Sequence, residues 1–182
     1  MISKVNNKHS FSNMRKRWMA KGIESSTSNN DLITLYKLCR STVKNLSAFS
    51  KTGIFVDCGT WQGASALTML AAIRSKKSDA KIITIDNYLS SNSYDIINKR
   101  IKSIDNENII EVVCSDDVDV IKNLPNESVC LVFIDPCHKY DHVLRTLENL
   151  NNKIIPGGII CGDDYTPIEL GVVRAVEEWR EK

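Results

Sequence analysis

The chain has 182 residues, a formal net charge of +2, 42% hydrophobic residues and 25% charged residues, which suits one globular protein with its own core. The small net charge gives no field directed at nucleic acid. No apolar run is long enough to span a membrane, and MISKVNNKHS lacks the apolar core of a secretion signal. The six cysteines form no C-x-x-C pair and mostly lie in apolar runs, so we expect buried thiols in a reducing cytoplasm.

The first fifty residues differ in pattern from the rest of the chain. Residues 14–22 predict a short basic helix, either a solvated face or lid or a contact for phosphate or anionic lipid. Residues 31–46 then place apolar side chains on one helical face, with Asn30 or Asp31 as the cap. We therefore expect residues 1–50 to form a helical lid or cap and residues 51–182 to form an α/β domain.

From residue 54 the pattern changes to short apolar strands that alternate with helical stretches. The predicted strands are residues 54–57, 81–86, 109–114, 129–135 and 157–163. The predicted helices are residues 64–77, 94–104, 116–124, 138–154 and 168–179. Because strands joined by helices need right-handed crossovers, this order predicts a doubly wound parallel sheet that is covered on both faces.

The turn after the first strand carries an acid and two glycines, in the order D-x-G-x-x-x-G-x-S. Gly59 and Gly63 let the backbone bend tightly and approach a ligand. The amides at the start of the next helix favour a carboxylate-bearing group, and Asp57 could accept a hydrogen bond from an ammonium group. Trp61 stands where the dinucleotide fingerprint has its middle glycine, so the turn departs from G-x-G-x-x-G.

Acids also follow the second and third strands. Asp86 is placed to bind both hydroxyls of a ribose, and Asp116 is placed to face an adenine edge. A simpler alternative stays open for each acid, Asp57 included, because a carboxylate at a strand end also caps the helix that follows. For Asp116 and Asp117 this alternative is stronger, since S-D-D suits the start of a helix. Gly157 and Gly158 are expected to form only the turn into the fifth strand.

Five stretches together carry a family resemblance: DCGTWQGAS from Asp57, IDNY from Ile85, SDD from Ser115, FIDPCH from Phe133 and GGIICGDDY from Gly157. Their order resembles that of class I S-adenosylmethionine-dependent methyltransferases. The likeness is to the small-molecule O-methyltransferase branch called methyltransferase family 24, of the sugar and catechol type. It covers residues 50–180 and implies a Rossmann-like domain that binds S-adenosylmethionine.

The resemblance implies a cofactor site at these strand ends. Asp57, Gly59 and Gly63 would hold the methionine part, Asp86 the ribose, and Asp116 would lie by the adenine. The other residues that the matched motifs place at the cofactor are Thr60, Ser65, Asn87, Asp117 and Asp135.

Acids at the last two strand ends supply the candidates for chemistry. Asp135, Asp163 and Asp164 should meet at one edge of the sheet, where they would repel one another without a cation such as Mg²⁺. The metal-dependent relatives bind their ion at these strand ends, which implies the three acids as ligands, although a site without an ion stays open.

Three aromatic or basic side chains near these acids are further candidates. His138 is the best candidate for the base that deprotonates an acceptor, with Asp135 beside it, and a capping or packing residue is its alternative. Tyr140 and Tyr165 would line an aromatic wall or serve in packing.

Two departures from the family pattern stand out. Pro136 and Cys137 fill the middle of D-G-x-H, so the relatives' acid two residues after the metal-binding acid is absent. The chain stops at Lys182, where class I methyltransferases continue into an antiparallel hairpin. An edge of the sheet would then be exposed, covered by the N-terminal helix or by a second copy in a homodimer, or left bare in a fragment.

The sequence therefore predicts a cytoplasmic methyltransferase that transfers a methyl group in line to the oxygen of a small hydroxylated molecule, with a sugar as one candidate. A divalent cation is a candidate second cofactor. A nucleotide-dependent oxidoreductase on the same fold is one alternative, and a catalytically inactive cofactor-binding module is the other.

Overall fold

In the computed structural model, which describes residues 7–49, 53–88 and 93–182, a five-stranded parallel sheet is flanked by seven helices. The elements are α1 Asn7–Met19, α2 Asn29–Phe49, β1 Ile54–Cys58, α3 Ala64–Lys76, β2 Lys81–Asp86, α4 Ser93–Lys102, β3 Ile110–Cys114, α5 Asp117–Asn123, β4 Val129–Ile134, α6 Tyr140–Leu150, β5 Ile154–Gly162 and α7 Leu170–Arg180. The strand order is β3-β2-β1-β4-β5, which confirms the predicted doubly wound fold.

The strands are apolar on both sides because each face of the sheet has its own core. Phe55 packs into a cluster formed with α1, α2, α3 and α4, and its neighbour Val56 packs into one formed with α5, α6 and α7. The chain runs outward from β1 to β3 and then crosses to β4 on the other side of β1. The carboxyl ends of the strands therefore open a crevice between β1 and β4, where the direction of winding changes, and this is the usual place for a ligand in this architecture.

The N-terminal helices belong to the first of these cores. Phe11 on α1 lies 5.9 Å from Trp18 and 5.4 Å from Tyr36 of α2, measured between ring centroids, and all three rings are buried. The basic helix predicted from residue 14 thus begins earlier, at Asn7. The burial of Phe11 was not predicted, because this residue is the single aromatic side chain in a polar stretch of the sequence. The division at residue 50 stays a prediction, and residues 50–52 lie outside the described residues.

Gly157 and Gly158 lie inside β5, which corrects the expectation that they form a turn before it. Val129 pairs with Ile154 and Leu131 with Ile159, so β5 carries extra residues between two paired positions. A Cβ on Gly158 would lie 2.6 Å from the Ile154 side chain, and Gly157 has a φ of +79°. The two glycines therefore permit a bulge that their spacing in sequence does not reveal.

The expected exposed edge is that of β5. Within the described ranges β5 pairs only with β4, and its residues are half-buried or exposed. Ile155 and Ile159 still pack against the core that contains α2, so the N-terminal helices contribute to one face of this strand. No helix in the described part of the chain is long and apolar enough to cross a bilayer.

All six cysteines are free thiols. Cys39, Cys58 and Cys130 are buried as predicted, and burial raises the pKa of the first two thiols well above the ordinary value. Cys114 is exposed, contrary to the expectation from its apolar run, because it ends β3 at the edge of the sheet.

Candidate active site

The turn after β1 is held tightly against the segment that follows β4. Gly59 has a φ of +90° and its N–H donates to the Ile85 carbonyl at 2.9 Å. A Cβ on Gly59 would lie only 2.1 Å from the Asp135 carbonyl oxygen. Gly63, with a φ of +93°, then starts α3. Both glycines are thus required by backbone geometry, as the motif predicted.

Asp57 lies beneath this turn and is fully buried. The Thr84 hydroxyl donates to its Oδ2 at 2.5 Å, and the Thr60 hydroxyl lies 2.5 Å from that of Thr84. Burial raises the pKa of the Asp57 carboxyl to about 6, although the hydroxyls of Thr84 and Ser65 lower it. Its Oδ1 is buried and has no partner at hydrogen-bonding geometry in the described part of the chain. The structure thus places Thr60 in a buried network with Asp57.

We expect Thr84→Val to lower the free energy of unfolding by about 2–3 kcal/mol, because it removes the hydroxyl that donates to Oδ2 of the buried Asp57 carboxylate. Thr68→Val is the matched control: Thr68 is equally buried, but its hydroxyl donates only to the Ala64 carbonyl of its own helix. That variant should lose about 1 kcal/mol. Urea unfolding measures both, and equal losses would contradict a special role for the Asp57 network.

Asp86 ends β2 with its carboxylate next to the glycine turn. Its Oδ2 accepts from the Trp61 N–H at 2.8 Å and its Oδ1 from the Tyr88 N–H at 2.9 Å. Asp86 therefore fixes the backbone of the turn after β1 and of the segment after β2, and each oxygen keeps a lone pair for a further donor. Asn87 beside it is exposed.

The two acids after β3 have different surroundings. Asp116 is exposed and caps α5, its Oδ1 accepting from the Val118 N–H at 2.9 Å. Asp117 is buried and joins α5 to α6: its Oδ1 lies 2.6 Å from His142 Nε2, and its Oδ2 accepts from the Thr146 hydroxyl at 2.9 Å. The hydrogen bond that Asp117 accepts from the protonated ring raises the pKa of His142. Both acids thus have structural partners, and their contact with a cofactor stays a prediction.

A cavity of about 250 Å³ lies over these strand ends; we call it the crevice cavity. It is lined by Gly59, Ile85, Asp86, Asn87, Ser115, Asp116, Asp117, Pro136, Cys137, Lys139 and His142. The carboxyl ends of β1, β2, β3 and β4 thus meet at one site, as the parallel sheet requires. Of the predicted cofactor residues, five line this cavity, and the other five do not: Asp57, Thr60, Gly63, Ser65 and Asp135.

Next to the crevice cavity, one imidazole stands among three carboxylates. His138 Nε2 lies 2.8 Å from Asp164 Oδ2 and 3.8 Å from Asp135 Oδ1. On the other side of the ring, His138 Nδ1 lies 3.3 Å from Glu169 Oε2. Gly171 fixes this arrangement, since a Cβ there would lie 2.2 Å from the His138 carbonyl oxygen. Glu169 was not predicted, because its stretch IELGVV looks only like the start of a helix.

Asp135 is the acid most affected by this grouping. Burial, and then repulsion from Asp163 and Asp164, raises the pKa of Asp135 to about 7. Ligand atoms of Asp135, His138 and Asp164 lie within 4.8 Å of one another, close enough to share an ion. Asp163 is outside that group, and its Oδ1 accepts from the Asp164 N–H at 2.9 Å. The predicted ligands Asp135, Asp163 and Asp164 thus do not meet as one group, because His138 stands where Asp163 was expected, and a metal ion at this place stays a prediction.

The two candidate wall tyrosines have different positions. The Tyr140 hydroxyl donates to Glu178, and Arg174 lies over its ring at 4.7 Å, so Tyr140 packs α6 against α7. Tyr165 is 52% exposed and lines a second cavity, which lies between the sheet and helices α6 and α7. Of the two tyrosines only Tyr165 lines a cavity, its hydroxyl donates to Glu177, and its contact with an acceptor stays a prediction.

Comparisons with known proteins agree with this architecture. The model of the methyltransferase family 24, described as a methyltransferase domain, matches residues 56–165. No protein with curated function matches the chain.

Three solved structures illustrate the likeness of fold. The O-methyltransferase NovP is 18% identical, with a TM-score of 0.66 over 80% of this chain and 70% of NovP. CalS11, a TDP-rhamnose 3'-O-methyltransferase of calicheamicin biosynthesis, is 14% identical, with a TM-score of 0.69 over 97% of this chain and 78% of CalS11. The methyltransferase PaMTH1 of Podospora anserina, bound to S-adenosylhomocysteine, is 15% identical, with a TM-score of 0.55 over 100% of this chain and 88% of PaMTH1.

At such identities the structures show a shared fold, whereas the family match covers more than half of the chain. That match also decides against the oxidoreductase alternative. The glycine turn, the acids after β2 and β3 and the matched residues together show that the chain belongs to methyltransferase family 24, within the class I S-adenosylmethionine-dependent methyltransferases.

Proposed function

We propose that the protein methylates a hydroxyl oxygen of a small molecule, with His138 as the base. The observation that carries this proposal is the position of the His138 cluster directly beside the crevice cavity. Pro136 and Cys137, which follow Asp135 and precede His138, line that cavity. A base at this place can reach a hydroxyl that approaches a methyl donor held over β1 and β2. The relatives NovP and CalS11, both O-methyltransferases, support oxygen as the acceptor atom.

The residues of the crevice fit S-adenosylmethionine. Gly59, Asp86 and Asp116 line the cavity; the glycine would let the methionine part approach the backbone, the Asp86 carboxylate would accept from the ribose hydroxyls, and Asp116 would lie by the adenine. Asp57, buried below the turn with one unsatisfied oxygen, would act on the methionine part through the backbone or a water molecule. When bound, S-adenosylmethionine supplies an electrophilic methyl group, whose carbon–sulfur bond breaks with the electron pair left on sulfur as the acceptor oxygen bonds to the carbon.

His138 takes the hydroxyl proton in this proposal. Glu169 would accept the Nδ1–H and so hold the neutral ring in the tautomer whose Nε2 is unprotonated. The acceptor hydroxyl would take the place of Asp164 at Nε2, and both carboxylates would compensate the positive charge that the ring gains with the proton. Glu169 is thus a positioning residue, analogous to the acid that orients a catalytic histidine in hydrolases.

A divalent cation fits the same acids. Oxygen ligands suit Mg²⁺, and the repulsion that raises the pKa of Asp135 is what a cation would relieve. Asp135 and Asp164 would hold it, with Asp163 as the third ligand, because a His138 nitrogen that takes the hydroxyl proton cannot bind the ion at the same time. The ion would stabilise the developing alkoxide. The homodimer and the cytoplasmic location also stay predictions, the latter supported by six free thiols.

Calorimetric titration with S-adenosylhomocysteine tests the cofactor site. We expect Asp86→Ala to weaken binding at least about 10-fold, since it removes the carboxylate that fixes Trp61 and Tyr88 and faces the ribose. Asp79→Ala makes the same charge change at an exposed position before β2, at the opposite end of the sheet, and should bind like the wild type. Equal affinity in both variants would contradict the assigned site.

Repeating the titration with Mg²⁺ and with EDTA examines the cation separately. Tighter binding of S-adenosylhomocysteine with Mg²⁺ would support a cation near the cofactor. Absence of binding by folded wild-type protein would contradict the proposed function for this chain.

A further inference from the structure

A second cavity, of about 270 Å³, lies between the sheet and helices α6 and α7; we call it the apolar cavity. Most of its wall is hydrocarbon from β5, α6 and α7: Val143, Leu147, Ile160, Val172, Val176 and Trp179. Its polar side chains are Asp135, His138, Asp163, Tyr165 and Arg180, so the cavity reaches the proposed base. Such a chamber, mostly apolar with a few converging polar groups, is the usual form of a small-molecule site.

The apolar cavity is a direct neighbour of the crevice cavity. Pro136 and Cys137 line both of them. The two cavities therefore adjoin at the segment between Asp135 and His138. Because transfer needs the reacting atoms within about 3–3.5 Å of each other, an acceptor held in the apolar cavity would have to extend its hydroxyl past this segment to the crevice cavity.

Exposed apolar side chains surround the same region. Tyr165, Ile168 and Leu170 are 52%, 88% and 63% exposed, and they flank Glu169, which holds His138. They lie in the segment between β5 and the first turn of α7, directly after Asp164. Neighbouring exposed apolar residues of this size favour a binding surface.

We propose that the apolar cavity binds the acceptor, and that the acceptor carries its hydroxyl on an uncharged, predominantly hydrocarbon ring system instead of being a free sugar. This inference rests on the proposed function and names its substrate class. The walls formed by valine, leucine, isoleucine and tryptophan hydrocarbon offer few partners for the several hydroxyls of a sugar. Each hydroxyl buried without a partner would cost about 1–3 kcal/mol, whereas a single hydroxyl directed at His138 would be satisfied.

Binding of 2-naphthol to protein saturated with S-adenosylhomocysteine tests this inference. We expect saturable binding to the wild type and no saturable binding of methyl α-D-glucopyranoside at the same concentrations. Val176→Phe fills the cavity from α7 and should weaken 2-naphthol binding at least about 10-fold. Val173→Phe adds the same ring on the same helix at a residue that does not line the cavity, and should leave the affinity unchanged.

Val176→Leu enlarges the side chain less and serves as the second variant if phenylalanine at this position unfolds the protein. Its loss of 2-naphthol affinity should lie between those of the wild type and Val176→Phe. S-adenosylhomocysteine affinity, measured on every variant, separates this inference from the proposed function. In protein that binds S-adenosylhomocysteine, absent 2-naphthol binding, or binding that neither Val176 variant weakens, overturns the inference alone. Light scattering on the same samples tests whether a second copy of the chain fills the cavity instead. A wild-type dimer that Val176→Phe dissociates would show this, and would overturn the inference that the cavity binds the acceptor.

Discussion

Gly59→Ala is expected to lower the free energy of unfolding by about 3–5 kcal/mol and to abolish detectable binding of S-adenosylhomocysteine. The new methyl group would lie 2.1 Å from the Asp135 carbonyl oxygen, 2.5 Å from its carbon and 2.9 Å from Pro136 Cα. All three are backbone atoms, so no side-chain rotation relieves the clash. The turn after β1 and the segment after β4 must therefore move apart, which displaces both Gly59 and Asp135 from their places in the site.

Gly157→Ala is the control that isolates this steric effect. Gly157 has a similar positive φ, +79° against +90°, but a Cβ there meets no atom within 4 Å. It should therefore carry only the backbone penalty, about 1–2 kcal/mol. Urea unfolding gives both free energies, and calorimetry gives both affinities. If the two variants were equally stable, the contact between Gly59 and Asp135 would not be what the turn depends on.

Asp135→Asn is expected to stabilise the protein at pH 8 in EDTA while removing its response to Mg²⁺. Burial and repulsion from Asp163 and Asp164 raise the pKa of Asp135 to about 7 in the folded state, against an ordinary value of 3.8. The folded state thus binds more protons than the unfolded state between these values, and stability falls as pH rises from 4 to 7. Allowing for the partial exposure of Asp135, removing its charge should gain about 1–3 kcal/mol at pH 8.

The pH dependence of unfolding in EDTA measures this gain. Wild-type stability should decline from pH 4 to pH 8, and Asp135→Asn should show a shallower decline, with the remainder due in part to Asp57, whose pKa is raised to about 6. Asp79→Asn, at an exposed position far from the cluster, should follow the wild type.

Adding Mg²⁺ at pH 8 tests the same acid as a ligand. The ion should stabilise the wild type and leave Asp135→Asn unchanged, because an ion that binds only the folded state stabilises it. A variant that is less stable than the wild type in EDTA would contradict the repulsion among the three acids.

The fold and the position of the site follow from the sequence because both rest on local patterns. Apolar runs separated by helical stretches require a parallel sheet, and the carboxyl ends of parallel strands share one edge. Gly59, Asp86 and Asp135 could therefore be assigned to one site from their places at strand ends alone. The role of Gly59 could be predicted because a φ of +90° favours glycine, and a glycine at such a turn is visible in the sequence.

Only the tertiary structure decided which side chains of distant segments contact one another. Glu169 meets His138 because α7 packs against the segment after β4, and Asp117 meets His142 because α5 packs against α6. The bulge at Gly157 depends likewise on the register of β5 against β4. The apolar cavity arises from the spacing between two helices and a sheet, and its valine, leucine and isoleucine residues look in sequence like ordinary core residues. Sequence patterns record which face of an element is buried, whereas the partner across that face is set by packing.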